Sequence, residues 1–246
     1  MIIINAWYGR LGNNIKQLSN IIHIAIALKH NIKINVKHRF FDVSLIEKYF
    51  NKYNNSEIIT DDKLNFFNPN KYKLRFSNTI FEENIQEKKK ILQNAFLINN
   101  INKLPENDLV IHIRSGDIFS SNPHPGFIPP PLSYYTKEID KCKYKKIHII
   151  CEDTKNPVVN ELRKLYKNAV YEKNTLEKDI RIILGATNIL YSVGTFIPSL
   201  MFLSNNNKYL HDYAYNHVKL KEYYNFMKPW KNTLEQRNYI LTYDYN

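Results

Sequence analysis

A histidine, an arginine and an aspartate fall within six residues in Leu109-Val-Ile-His-Ile-Arg-Ser-Gly-Asp117. Side chains alternate faces along a strand, so His112 and Arg114 share one side while Leu109, Ile111 and Ile113 fill the other. An arginine fork at the carboxyl end of a strand suits the paired oxygens of a phosphate, and that end is where open parallel α/β sheets bind ligands. Ser115-Gly-Asp117 then supplies a turn in which Gly116 is free to take positive φ. The same residues would also suit an ordinary buried strand closed by a surface Arg-Asp ion pair. Further along, strand ends present Glu152 and Asp153, Glu172, and Ser192 to Thr195, although acidic residues in such places also serve as helix caps.

The elements that must position these groups are legible as alternating strands and helices. Ile2 to Ile4 reads as a buried strand, and Gly9-Arg-Leu-Gly-Asn-Asn14 as a turn into a helix with Ile15, Leu18, Ile22 and Ala25 at helical spacing. Asn13 or Asn14 can cap that helix, and backbone N–H groups at such a turn form a natural anion site. Gly9 and Gly12 are spaced G-x-x-G without a third glycine, so this is not the dinucleotide fingerprint. Ile32 to Val36 is a second strand; Leu45 to Phe50 and Asn84 to Phe96 read as helices, and Lys71 to Phe76 as a strand. A Pro105-Glu-Asn-Asp108 turn marks the boundary between two halves, 1–105 and 106–246.

In the second half the organising strand runs into a proline-rich loop, Asn122 to Pro131, whose prolines lower the cost of ordering it and make it a shaped wall. Ser133 can start a helix from Tyr134 to Cys142. Strands follow at Lys146–Cys151, Ala169–Tyr171, Asn188–Ser192 and Lys208–Leu210. Helices occupy Pro157–Lys167, Leu176–Ala186 and Phe196–Leu203, and a helical segment closes the chain. This alternation implies an α/β fold with parallel sheets covered on both faces.

Composition narrows the class. The 246 residues suffice for one large or two small domains, and 43% hydrophobic content excludes disorder. A net charge of +12 favours an anionic partner: a nucleotide sugar, nucleic acid, an acidic glycan or a membrane surface. The tyrosines do not interleave with Lys and Arg as a stacking motif, which disfavours a basic nucleic-acid-binding domain. Two cysteines, Cys142 and Cys151, exclude a disulfide framework and a thiolate metal site. No targeting segment and no apolar run of bilayer length is visible, so a cytoplasmic, soluble protein is expected, with peripheral membrane-surface contact still open.

Three stretches, in order, resemble the fucosyltransferase superfamily of protein O-fucosyltransferases, α1,6-fucosyltransferases and bacterial α1,2-fucosyltransferases. Gly9-Arg-Leu-Gly-Asn-Asn14 is similar to its Gly-x-x-Gly-Asn-Gln motif, with Asn14 in place of the Gln. His112-Ile-Arg-Ser-Gly-Asp117 is similar to His-x-Arg-x-Gly-Asp, and Ser192-Val-Gly-Thr-Phe196 to Ser-x-x-Thr-Phe. The resemblance covers both halves but not Phe40 to Asn107. It implies a GT-B-like fold of two facing Rossmann-like domains, the first on the acceptor side and the second holding the nucleotide. It also implies an inverting glycosyltransferase with a GDP-sugar donor, most readily GDP-fucose, a glycan acceptor, and neither metal nor cofactor.

On that resemblance Arg114 binds the β-phosphate and His112 lies near the nucleotide. Gly9, Arg10, Gly12 and Asn13 approach the donor from the first domain. Ser192, Gly194, Thr195 and Phe196 cradle its phosphates, with Glu152 and Asp153 at the neighbouring strand end. For the base that activates the acceptor hydroxyl, Asp117 is the nearest carboxylate in sequence and His124 lies on the adjoining loop. A transferase for another nucleotide sugar, or a glycan-binding protein without turnover, would use the same fold.

Overall fold

A computed structural model describes residues 1–60, 84–205, 209–212 and 220–244, the strand at 209–212 by its backbone. It is an α/β structure in two compact units: Met1–Asn100 with Pro198–Ser204, and Ile101–Ile197 with Asn205–Asn246.

In the first unit β1 (Ile2–Ile4), α1 (Leu11–Leu28), β2 (Ile32–Ile34), α2 (Val43–Phe50), β3 (Ile59–Thr60) and α3 (Ile85–Ala95) follow in order. The strands form a parallel sheet ordered β2-β1-β3, with Ile2 opposite both Ile32 and Ile59. Ile2, Ile4, Leu18, Ile21 and Ile22 are fully buried, as the helical spacing requires. The expected helix cap is not there: Arg10 is the N-cap and makes no side-chain cap bond, while Asn13 and Asn14 lie inside α1. Asn14 instead turns back, donating from Nδ2 to Tyr8 O at 2.9 Å. Gln17 donates to Ala6 O at 3.0 Å and accepts from Tyr8 N–H at 3.2 Å. A loop over a strand end has backbone groups with no ladder partner, and these buried amides supply one. The predicted strand from Lys71 to Phe76 lies outside the described residues.

The second unit continues with β4 (Asp108–His112), a 3-10 turn (Gly116–Phe119), α4 (Leu132–Ile139), β5 (Lys146–Ile150), α5 (Pro157–Leu165), β6 (Ala169–Tyr171), α6 (Leu176–Gly185) and β7 (Asn188–Tyr191). After α7 (Phe196–Leu203), whose residues divide between the units, come β8 (Tyr209–Asp212), α8 (Lys221–Met227) and α9 (Leu234–Thr242). The helix expected to start from Ser133 begins at Leu132, with Pro131 as its N-cap and no side-chain cap bond. All pairings in the sheet, ordered β6-β5-β4-β7-β8, are parallel.

Leu109, Ile111 and Ile113 pack into one core with Tyr134 and Tyr135 of α4, Val158 and Leu162 of α5, and Tyr223, Met227, Trp230 and Ile240 of the C-terminal segment. Val110 and Ile189 are as deeply buried but lie outside that cluster, so both faces of the sheet are covered. The chain runs from β4 outward to β6, then returns past β4 to β7. The carboxyl ends of β4 and β7 therefore flank the topological switch point, where the two connections diverge and leave a crevice.

Candidate functional site

Arg114 leaves β4 at that switch point. Its backbone N–H donates to Ser192 Oγ at 2.9 Å, and the Ser192 N–H returns to His112 O at 3.1 Å, so the ends of β4 and β7 are locked together. Asn156, the buried N-cap of α5, donates from Nδ2 to Arg114 O at 3.0 Å, fixing the same backbone from the β5 side.

The guanidinium is held on three sides. Asp117 accepts from Nε at 3.4 Å and from Nη2 at 2.9 Å. The Phe127 ring centroid lies 3.9 Å from the guanidinium carbon, a cation–π contact that seats the fork against an aromatic wall. Gly194 closes the third side: at φ +113 it holds a conformation open to glycine, and a Cβ there would come within 2.9 Å of Nη1. Arg114 remains 22% exposed, so it is fixed in direction yet reachable.

The turn beneath it is built by Asp153. Its carboxylate accepts from the Ser115 hydroxyl, from Gly116 N–H at 3.4 Å and from Lys155 N–H at 3.0 Å. Burial pushes the Asp153 carboxyl up, but the Ser115, Lys155 and Gly116 donors outweigh it and hold it below the usual carboxylate range. Glu152 is exposed beside the same turn, and a Cβ on Gly116, at φ +57, would collide with its Oε2. Glu172 is elsewhere: it pairs with Lys178 at 2.9 Å and lines a cavity of about 220 Å³ against β5 and β6, whose walls do not include Arg114.

His112 packs against Phe196, ring centroids 5.4 Å apart, and its Nδ1 is buried without a partner among the described residues. Burial, reinforced by Arg114, lowers its pKa to about 4. Burial likewise lowers His38 and His23 in the first unit to about 4, with Lys88 adding to the effect at His23.

Such histidines refuse a proton that the unfolded chain accepts, so their stabilisation is complete above about pH 6.5 and falls away as pH drops toward 4. For His112 the loss between pH 7 and 4.5 is about 2–3 kcal/mol by the shift. Denaturant unfolding at the two pH values should therefore show a smaller difference for His112→Asn than for the unsubstituted chain. An equal difference would contradict the neutral assignment.

His124 is exposed on the proline-rich loop. Its Nδ1 accepts the Gly126 N–H at 3.1 Å, and its ring lies 4.7 Å from Phe127, which thus stands between it and Arg114. The loop and the 3-10 turn before it are braced from the C-terminal segment: Trp230 donates from Nε1 to Ile118 O at 2.6 Å and from its backbone to Pro125 O at 3.1 Å. Tyr223 Oη donates to Pro129 O at 2.8 Å and Asn232 Nδ2 to Ser120 O at 3.0 Å. Phe127 and Trp230 carry no motif or spacing that marks them in the sequence, an aromatic residue inside a proline-rich loop being the one available signal, whereas Asn156 stands where an N-cap belongs, just before Pro157 at a helix start.

In the first unit Gly9 has φ +65, Arg10 caps α1, and Gly12 and Asn13 fall in its first turn, where Gly12 O accepts from Ser199 Oγ at 2.8 Å. Among the described residues no group of three His, Cys, Asp or Glu side chains could hold a metal ion, and no helix is long and apolar enough to cross a membrane.

No protein-family model matches this chain, and no curated protein does. Several solved structures are similar to it. POFUT1, a GDP-fucose protein O-fucosyltransferase, in complex with GDP is 11% identical, with 85% of this chain and 96% of that chain covered and a TM-score of 0.45. POFUT1 in complex with GDP-fucose is 12% identical, with 85% and 97% covered and a TM-score of 0.45.

Proposed function

We propose that this protein is an inverting, metal-independent glycosyltransferase that moves fucose from GDP-fucose onto a glycan. The observation that carries the reading is Arg114 at the switch point, aimed by Asp117, Phe127 and Gly194 within a His-x-Arg-x-Gly-Asp stretch. Asp117 engages the Nε and Nη2 side of the fork, so a diphosphate is met by the Nη1 side next to Gly194. The chain there enters α7, whose first-turn N–H groups add a second source of positive potential.

In the reaction the acceptor hydroxyl gives its proton to a general base and its oxygen attacks the anomeric carbon as the bond to the β-phosphate oxygen breaks, in one displacement that releases GDP. Charge develops on the leaving GDP, and the pre-oriented guanidinium and backbone N–H groups stabilise it where a metal would otherwise serve. The assignment of Gly9, Arg10, Gly12 and Asn13 to the donor is supported by their motif alone. Since an arginine contact with phosphate does not read the hexose, another nucleotide sugar is the second reading.

Calorimetry with GDP-fucose, GDP-mannose and UDP- and dTDP-sugars tests it. GDP-fucose should bind best, and transfer should survive dialysis against EDTA. Binding of none of these donors, or a dialysed protein inactive until Mg²⁺ or Mn²⁺ is restored, would contradict the proposal.

A further inference from the structure

The first unit presents a second built surface, at the carboxyl edge of its own sheet. Its order β2-β1-β3 puts β1 in the centre with neighbours reached in opposite directions, so that sheet too has its switch point at the end of β1. The loops after β1 and β2 are fastened to one another there. Trp7 Nε1 donates to Lys37 O at 2.9 Å, and Asn35 Nδ2 donates to Asn5 Oδ1 at 2.8 Å. His38 accepts the Phe40 N–H on Nδ1 at 3.0 Å, so its neutral ring carries the proton on Nε2 and donates to Asn14 Oδ1 at 3.2 Å. The same ring meets Trp7 edge to face, centroids 4.8 Å apart at 80°, and so props the indole.

A propped, half-buried indole beside two exposed amides has the chemistry that recognises a sugar: an apolar face for its C–H groups and planar donors and acceptors for its hydroxyls. The Asn5–Asn35 bond uses one oxygen and one NH₂ group, leaving a donor and an acceptor on the pair. Up to Asp42 the charge along the sequence is one-sided as well. From Met1 to Phe41 the chain has two arginines and four lysines and no aspartate or glutamate. Lys33 pairs with Glu47 at 3.4 Å; Lys37 and Arg39 are exposed on the loop after β2, Arg39 with its guanidinium carbon 5.2 Å from the Phe40 ring centroid.

We infer that this edge binds a saccharide bearing a negative charge, through Trp7, Asn5 and Asn35 for the ring and Lys37 and Arg39 for the anion. Resting on the glycosyltransferase reading, this makes the acceptor an acidic glycan. Nothing in it depends on Arg114, so the two readings fail separately.

The test is binding of cellobiouronic acid, of cellobiose phosphate and of neutral cellobiose to the full chain, without donor, at about 0.15 M salt, where charges more than about 8 Å apart are screened. Both anions should bind more tightly than cellobiose, and Trp7→Ala should abolish binding of all three. Lys37→Gln with Arg39→Gln should weaken the anions about tenfold, the scale of two partly exposed charge contacts, and leave cellobiose unchanged.

The charge-matched control Lys143→Gln with Lys167→Gln, exposed positions of the second unit, should change nothing. GDP-fucose affinity should be the same in every variant. Equal binding of cellobiose and the anions, binding of none of the three while GDP-fucose binds, or an equal loss in the control would overturn the inference. Trp7-dependent binding of the anions in a protein that binds no nucleotide sugar would leave the surface standing and remove the transferase reading instead.

Discussion

Arg114→Ala is expected to abolish transfer and to weaken GDP binding by about 3 kcal/mol, roughly 100-fold, the scale of a charge-assisted bidentate hydrogen-bond pair in a partly closed site. The size of the effect follows from how much structure converges on that one side chain. Ser192 and Asn156 fix its backbone, Asp117 and Phe127 its guanidinium, and Gly194 is the residue that lets Nη1 approach the β7 turn. Water can fill the space that alanine leaves, but it brings neither the charge nor the orientation.

Arg114→Lys separates those two contributions. The ammonium restores the charge without the fork and cannot lie flat on Phe127 while bonding both Asp117 oxygens, so it should recover little of the affinity that alanine removes. Isothermal titration with GDP decides: wild-type affinity and turnover in a folded Arg114→Ala variant would remove Arg114 from the site.

The strand that carries Arg114 was legible because its signal is local. Alternation from Leu109 to Ile113 states which side chains share a face: Leu109, Ile111 and Ile113 lie together in one core, while Val110 is buried on the other face. Ala169–Tyr171 and Phe196–Leu203 have the bounds their residue types suggest. What surrounds the arginine was not legible, because it comes from far along the chain. Trp230 meets the turn 112 residues before it, and Asn156 meets Arg114 across 42. No periodicity encodes such a meeting; the order of strands in the sheet does.

Asn14 shows the opposite error. An asparagine at the start of a helix is a good cap in isolation, yet here the loop from Ala6 to Tyr8 brings carbonyls that belong to no strand ladder within reach, and burying the amides against them satisfies both.

Asp117→Asn is expected to lower donor affinity and turnover together, because the carboxylate acts on the arginine. Both of its oxygens are engaged, by Nε and by Nη2, so the carboxylate is turned toward the guanidinium it braces. Two effects oppose each other on substitution. Removing a negative charge near the diphosphate helps binding by about 0.5–1 kcal/mol at the screening of a half-exposed site. Losing one of two hydrogen bonds to a charged partner costs about 1.5–3 kcal/mol. The second is larger, so GDP should bind roughly 2- to 70-fold more weakly.

A general base would leave a different trace: a fall in kcat of about 10²–10⁴-fold with donor affinity intact and the acidic limb of the pH profile gone. His124 is disfavoured for that role by its own hydrogen bond. With Nδ1 accepting the Gly126 N–H, the neutral ring holds its proton on Nε2 and offers no lone pair to an acceptor hydroxyl. His124→Ala should therefore keep kcat within a few-fold, apart from any loosening of Phe127 behind Arg114. A collapse of kcat in His124→Ala at unchanged GDP affinity would reverse that tautomer and make the imidazole the base. The base signature in Asp117→Asn would instead turn the brace into the proton acceptor.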